Sequence, residues 1–357
     1  MGYLNHYYIN KNNLLKNIKI IKEKLNPETK LCAVVKANAY GVGVREVVSI
    51  VKDEVDYYAV ANIEEALELR KLDKDKEILI LGYVSFEDIE LAVIHNLSIT
   101  IISKEYFLGL TEHLKKFNLK SLKIHIKINT GLNRFGLSKT EFIRIIQILK
   151  EDESLFKFEG CYTHFATKSS DEEFLEKQFR EFESVTKLCG KKVVKHCSNT
   201  YATLTHLEMQ MDMVRVGFGL YGMEENMFGL QPVIKIESEI INILNLKVGE
   251  SVGYDRTFRA KNNTKIAVVP IGYADGFSRN LSNNFELYVN GKFAKVVGRI
   301  CMDICFIDVT NIDVKIGNKV EIMGEKISTT KFSNILNTST YEILLNFNKM
   351  RCVRQIV

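Results

Sequence analysis

A lysine at position 36 ends the apolar run Leu31-Cys32-Ala33-Val34-Val35 and is followed by the loop-like Ala37-Asn38-Ala39-Tyr40-Gly41. The run reads as a short strand buried on both faces. An ammonium at the tip of such a strand is costly to desolvate. Either its pKa falls and it becomes an amine suited to a Schiff base with an aldehyde, or its stem snorkels and the charge stays in water. Other titratable or polar residues close later apolar runs: Lys127 with Arg134 just beyond, His164, Ser198-Asn199-Thr200, and Arg215 leading into Gly217. One such residue is an ordinary strand end; their recurrence at run after run points to a site. Ser198-Asn199-Thr200 is rich in hydroxyl and amide donors. Arg215-Val216-Gly217-Phe218-Gly219 carries glycines that either turn backbone N–H groups toward an anion or merely permit a tight turn. An aldehyde-reactive lysine beside a phosphate cradle implies pyridoxal 5′-phosphate (PLP).

These residues need a scaffold that brings strand ends together. Between residues 12 and 230 short apolar runs (31–35, 57–61, 78–81, 99–102, 122–128, 158–163, 193–196 and 213–216) alternate with amphipathic stretches of helical period, such as 14–25, 64–72, 86–94, 141–149 and 173–188. Eight strands alternating with helices suit a (β/α)8 TIM-type barrel, which takes about 250 residues and gathers its chemistry where strands end. A doubly wound open sheet is the competing arrangement, although no GxGxxG follows the first strand. Past Pro232 strand-like runs follow one another with little helix: 237–246, 265–270, 287–289, 295–297, 304–309 and 319–322. Asn290-Gly291 and Ile316-Gly317-Asn318 read as hairpin turns. The expected fold class is α/β, with a barrel domain over residues 10–231 and a mostly β C-terminal domain over 232–357. Residues 1–9 are a candidate extra strand for the latter.

The chain has 357 residues, 46% hydrophobic and 26% charged, with a formal charge of +5 spread along its length. That composition is ordinary for a globular protein, and no block of like charge suggests nucleic acid. No apolar run reaches membrane-spanning length, and the first residues lack a basic-then-apolar leader pattern. The 7 cysteines are odd in number, without a CxxC pair or the spacing of a small disulfide-bonded domain. They read as reduced thiols in a cytoplasmic protein, and no metal site is expected.

Val35-Lys36-Ala37-Asn38-Ala39-Tyr40-Gly41 resembles the PLP-attachment signature of the alanine racemases, fold-type III PLP enzymes. Further segments follow in that family's order: Asn129-Thr130-Gly131-Leu132-Asn133-Arg134-Phe135-Gly136, Thr163-His164-Phe165-Ala166, His196-Cys197-Ser198-Asn199-Thr200 and Arg215-Val216-Gly217-Phe218-Gly219-Leu220-Tyr221-Gly222. So do Val252-Gly253-Tyr254, Pro270-Ile271-Gly272-Tyr273-Ala274-Asp275-Gly276, Gly298-Arg299-Ile300-Cys301-Met302-Asp303 and Tyr341-Glu342. The resemblance implies interconversion of L- and D-alanine, with D-alanine supplied to peptidoglycan. Lys36 would carry PLP covalently and act as one acid/base group. Tyr254, from the partner subunit of a homodimer, would be the other. Arg215 would donate to the pyridine nitrogen with His164 behind it. Tyr40, Asn199, Thr200, Gly217, Phe218 and Tyr341 would hold the cofactor, mainly its phosphate. Arg134 would meet the phenolic oxygen or the substrate carboxylate, the partner's Met302 would contact substrate, and Lys127 stands where the family often has a carbamylated lysine.

The sequence departs from the family at several points. Val42 replaces a common histidine, Asn129 a common aspartate and Thr200 a serine, and Arg351-Cys352-Val353-Arg354 lacks a common proline. None of these removes a catalytic group, but Asn129 drops a negative charge near Arg134. By the same resemblance, Tyr254, Met302 and Tyr341 would leave room for little beyond a methyl side chain. Alternatives are a racemase of another small or broader set of amino acids, such as serine, and a non-catalytic PLP-binding protein. The latter resemble the barrel alone, whereas Tyr254 and Met302 lie in the second domain. A basic amino-acid decarboxylase would pair the ring nitrogen with glutamate rather than Arg215.

Overall fold

The computed structural model describes residues 4–168, 170–223 and 227–357. It divides into two compact units, one formed by Ile18–Ala39 and Val47–Leu220, the other by Met1–Asn17, Tyr40–Glu46 and Tyr221–Val357.

The chain opens with β1 (His6–Ile9), a strand of the second unit. The first unit is built on eight strands: β2 (Lys30–Val34), β3 (Tyr57–Val60), β4 (Glu77–Ile80), β5 (Ser98–Ile101), β6 (Leu122–Lys127), β7 (Phe156–Tyr162), β8 (Val194–His196) and β9 (Met213–Val216). All neighbours pair in parallel, in the order β8-β7-β6-β5-β4-β3-β2-β9. Asp212 N donates to Lys195 O (3.1 Å) and Arg215 N to Ser198 O (3.0 Å), joining the remaining edges of β8 and β9. The barrel expected from alternating runs is therefore present, and strand order never reverses as a doubly wound sheet requires.

Local chemistry explains the elements. Strands β3, β5, β6 and β9 are buried at every position, with polar side chains such as Thr100, His125 and Arg215 among the apolar ones. Short polar residues begin the helices between them. Asn62 Oδ1 accepts from Glu65 N, Ser103 caps Lys104–Phe117, and Ser138 with Glu141 forms a reciprocal capping box on Lys139–Glu151. At the start of the barrel strands Lys123 meets Glu77 (2.6 Å) and Glu159 (3.5 Å), so its buried ammonium is paired.

The second unit contains β10 (Ile234–Glu239), β11 (Asn242–Leu246), β12 (Ser251–Val252), β13 (Phe258–Arg259), β14 (Thr264–Val269), β15 (Glu286–Val289), β16 (Lys292–Lys295), β17 (Cys305–Asp308), β18 (Lys319–Met323) and β19 (Val353–Ile356). Six strands form one sheet in the order β16-β15-β18-β10-β1-β19; β11-β14-β17 form another and β12-β13 a third. Inside it, β1 lies antiparallel to β10 and parallel to β19. Asn290 (φ 45°) and Gly291 (φ 82°) make the left-handed two-residue turn between β15 and β16.

Two expectations fail here. Residues 237–246 are not one strand, because the chain breaks after Glu239 and continues as β11 in a different sheet. Ile316-Gly317-Asn318 is a turn but not a hairpin, since β17 and β18 belong to separate sheets. The segment after β18 is helical over Thr329–Leu336 and Thr340–Phe347, capped by Ser328 and Ser339. Phe332 and Phe347 from those helices pack with Phe277 and Phe285 in an aromatic core.

Candidate active site

Lys36 stands one residue beyond the end of β2, after Val35, where the backbone turns into a left-handed coil. Ala37, Asn38 and Ala39 have φ of 52° and Tyr40 has 57°. Left-handed backbone costs a non-glycine residue roughly 1–2 kcal/mol, so four in succession must be held by their surroundings. Glu65 holds part of it: its Oε1 accepts from Ala37 N (2.7 Å) while its Oε2 accepts from Ala61 N (2.8 Å). Ala39 N donates to Val35 O (2.9 Å). The half-buried Lys36 amine has its pKa lowered, first by desolvation and then by the Arg134 charge, with Glu65 opposing.

Arg215, on β9, is the most connected charge of the barrel. Its NH1 donates to His196 Nδ1 (2.7 Å) and His196 O (3.0 Å). NH2 donates to Thr163 O (2.7 Å) and Cys197 O (3.3 Å), with His164 Nδ1 at 3.4 Å. Its guanidinium also stands over the Tyr162 ring, 5.0 Å from the centroid. None of these partners is a carboxylate. The cation is thus fixed by carbonyls, imidazoles and a π face, and its own charge is left over for something electron-rich.

Behind Arg215 the barrel interior holds a second histidine. His196 accepts the arginine's proton donor at Nδ1, so its one proton resides on Nε2 and is donated to His125 Nδ1 (2.9 Å). His125 then carries its proton on Nε2, 3.5 Å from Tyr57 Oη. Both imidazoles are neutral: burial lowers His125 to about 4 and, with the Arg215 charge, His196 well below its ordinary range. His164 is likewise held neutral by desolvation and then Arg215.

Lys127 ends β6 with its ammonium near the faces of Tyr162 (5.6 Å) and Phe135 (5.7 Å). Burial, then Arg134, Arg215 and Lys36, lowers its pKa to about 7, leaving a large fraction as free amine near neutrality. Arg134 is exposed on the loop that follows. Asn129 shapes that loop, with Oδ1 accepting from Gly131 N (3.2 Å) and Asn133 N (3.0 Å). The asparagine therefore keeps the acceptor that an aspartate would provide, while giving up its charge.

After β8, Asn199 Oδ1 caps the helix Thr200–Thr205 by accepting from Ala202 N (3.1 Å). Thr200 Oγ1 accepts from Gly219 N at 3.4 Å. A Cβ on Gly219 would collide with the Thr200 methyl, so glycine is required by close approach here. Phe218 lies beneath the Lys168 ammonium, 4.6 Å from its ring centre. The first unit thus collects Lys36, Lys127, Arg134, His164, Asn199, Thr200, Arg215, Gly217 and Phe218 near the ends of its strands.

The second unit holds the others. The Tyr40 ring contacts Tyr221 (5.5 Å) and Tyr341 (5.7 Å), and burial raises the Tyr40 phenol to about 12, so it stays a neutral donor. Tyr254 begins the short turn Tyr254–Arg256 and is 67% exposed; Met302 is 54% exposed, its carbonyl accepting from Ala274 N. Next to Tyr254, Asp255 lies between Arg279 (3.7 Å) and Arg299 (3.5 Å).

Sequence reasoning missed four contributors. His196 sat inside a quoted motif, and His125 stood mid-strand, where periodicity carries no pairing information. Glu65 signalled only helix polarity. Gln178, fully buried on Glu172–Thr186, accepts from Ala166 N (2.8 Å) and donates to Thr130 Oγ1 (3.2 Å) and His164 O (3.4 Å), clamping the His164 loop. Among the described residues no group of three or more His, Cys, Asp or Glu could hold a metal ion.

A cationic set with a lysine of lowered pKa, a buried arginine without a carboxylate, and a glycine-hydroxyl corner suits an anionic aromatic aldehyde such as PLP. Residues 9–225 match the model of the alanine racemase N-terminal domain and 233–356 that of its C-terminal domain. The chain is 38% identical over 346 residues to an alanine racemase of Methanococcus maripaludis, covering 92% of both chains. It superposes on the alanine racemase of E. faecalis with a TM-score of 0.92 at 30% identity, covering 99% of this chain and 98% of that one. The alanine racemase of Bacillus anthracis with bound L-Ala-P gives 0.91 at 30% identity, covering 100% and 96%.

Proposed function

The chain belongs to the alanine racemase family, and we propose that it interconverts L- and D-alanine with PLP by a two-base mechanism, in the cytoplasm, supplying D-alanine to peptidoglycan. The observation that carries this reading is the Lys36 amine, its pKa lowered past the end of β2 by burial and in electrostatic reach of Arg134 and Lys127. PLP would supply the electron sink that makes an amino-acid α-proton removable. Lys36 would anchor it; Arg215 would face the ring nitrogen; and Tyr40, Asn199, Thr200, Gly217, Phe218 and Tyr341 would hold it, chiefly at the phosphate.

The remaining steps belong to side chains of this chain. Lys36 moves a proton on one face of the substrate α-carbon and Tyr254, offered by the partner of a homodimer, on the other. Arg134 orients the substrate carboxylate, and the partner's Met302 limits side-chain size. Arg215 cannot surrender its protons, so it would offer the cofactor's ring nitrogen a hydrogen-bond donor without protonating it, which would limit side reactions. His164 and His196, both neutral, fix the guanidinium plane. Lys127, with a free-amine fraction near neutrality, adds carbon dioxide to give a carbamate and a proton, and the new negative group orients Arg134. The same reading divides the chain into a barrel over 10–231 and a C-terminal domain over 232–357, supported by the two family matches.

The test pairs three measurements on the purified protein: an absorbance band after incubation with PLP, borohydride labelling mapped by peptide, and alanine racemisation. Label at Lys36 together with racemisation is expected; a colourless protein with Lys36 unlabelled would end this reading. Mixing separately inactive Lys36→Ala and Tyr254→Phe proteins should restore part of the activity if the site is shared between subunits. No recovery after verified subunit exchange would remove Tyr254 from the partner's role.

A further inference from the structure

Two cysteines that the sequence leaves 28 positions apart meet at the edge of the barrel, with Cys161 Sγ 3.4 Å from Cys189 Sγ. Among the described residues no other two thiols are in contact. Cys161 lies buried on β7, while Cys189 follows the helix Glu172–Thr186 and is half-exposed. Lys195, on β8, sits where its ammonium favours thiolate at both sulfurs, against the nearby Asp212. The pair is therefore asymmetric: one sulfur meets solvent and its neighbour waits behind it.

We infer that Cys161 and Cys189 are a reversible redox pair, with Cys189 the peroxide-reactive thiol and Cys161 the resolving thiol. In the first step the Cys189 sulfur attacks a peroxide oxygen, an S–O bond forms as the O–O bond breaks, and with hydrogen peroxide one water leaves. In the second the Cys161 sulfur attacks the Cys189 sulfur, the S–S bond forms, the S–O bond breaks and a second water leaves. Two thiols thereby give two electrons and two protons to the peroxide, and a dithiol reductant reverses the change by exchange.

What the bridge would fasten gives the pair its reach. The closed segment carries both the His164 loop and the helix whose Gln178 clamps that loop. Cys161 also precedes Tyr162, whose ring stacks on His196 (4.9 Å) and under Arg215. Closing the loop restricts the unfolded chain and stiffens the wall that orients Arg215.

The experiment uses full-length, PLP-loaded protein treated with hydrogen peroxide, blocked with an alkylating agent and digested for peptide mapping. Expected are a dithiothreitol-reversible Cys161–Cys189 cross-link, loss of two of the 7 titratable thiols, and a melting temperature raised by a few degrees. Cys189→Ser should lose both the cross-link and the thermal shift while keeping its racemase activity. Cys161→Ala should instead trap a sulfenic acid at Cys189. Should Cys161→Ala fail to fold, the map of the parent and the Cys189→Ser control decide. Recovery of both cysteines as alkylated free thiols, their conversion to sulfonic acids without a cross-link, or a cross-link through Cys301 or Cys352 would overturn the assignment. The mapping reads no activity, so it stands or falls apart from the proposed function.

Discussion

At the scale of single residues, the cationic strand ends set measurable pH behaviour. Lys127 titrates near 7 in the folded protein and near 10.5 in an ordinary lysine environment. Between those values the unfolded chain binds more protons, so stability rises with pH across that window, and the cost of the buried charge is greatest below it. In carbon-dioxide-free buffer, melting temperature should climb from about pH 7 toward pH 9. Lys127→Met should flatten that slope and gain on the order of a few kcal/mol at neutral pH. An unchanged slope in urea titrations at several pH values would show that Lys127 is solvated. The histidine chain offers a second check. His196→Phe leaves the Arg215 NH1 without its 2.7 Å acceptor, and the expected loss is roughly 1.5–3 kcal/mol by urea denaturation. In Arg215→Glu the ring nitrogen of PLP would meet an acid, and transamination should rise relative to racemisation.

At the scale of elements, the strand β7 and the helix after it carry the tuning. Gly160 lies where the β6–β7 register shifts, and an added Cβ would run into the His125 ring and the Val194 carbonyl. Gly160→Ala should therefore cost about 1–3 kcal/mol through overpacking, measured by denaturation, and displace His125 without deleting it. Gln178→Leu should leave Ala166 N and His164 O unpaired, lowering stability by about 1–3 kcal/mol, with faster amide exchange confined to the His164 loop. The strands were legible because burial on both faces kept short runs rich in apolar residues between the amphipathic stretches; β9 is found at the residues the sequence indicated even though Arg215 interrupts it. The helices Thr329–Leu336 and Thr340–Phe347 went unassigned, because each spans only eight residues, too few for a helical period to stand out. Strand ends could be lined up from sequence, but not the interior partners. His164 was visible as a neighbour of Arg215, whereas His196 at 2.7 Å is the closer one and depends on register alone.

For the whole molecule, three separated stretches build the second unit, and a few buried polar contacts hold it. Asp275 is fully buried, accepting from Arg351 Nε (2.8 Å) and NH2 (3.0 Å) and from Gly272 N (3.1 Å). Arg351→Ala strands that carboxylate, and a loss of about 3 kcal/mol is expected; an Asp275→Asn/Arg351→Ala double variant should recover part of it. The Tyr40–Glu46 stretch enters this unit only four residues beyond Lys36, where Tyr7 Oη (3.4 Å) and Arg354 (3.2 Å) donate to Gly41 O.

The sheet position of β1 also sets an order of assembly. His6 pairs with Glu237 and with Val353, so during synthesis the strand nearest the amino terminus has no hydrogen-bonding neighbour until the entire barrel has left the ribosome. Such distant pairing is slow and exposes an unpaired strand edge meanwhile. Nascent chains arrested before the codon for Ile234 should accordingly be held by chaperones through their first dozen residues, and released once the final sheet can close.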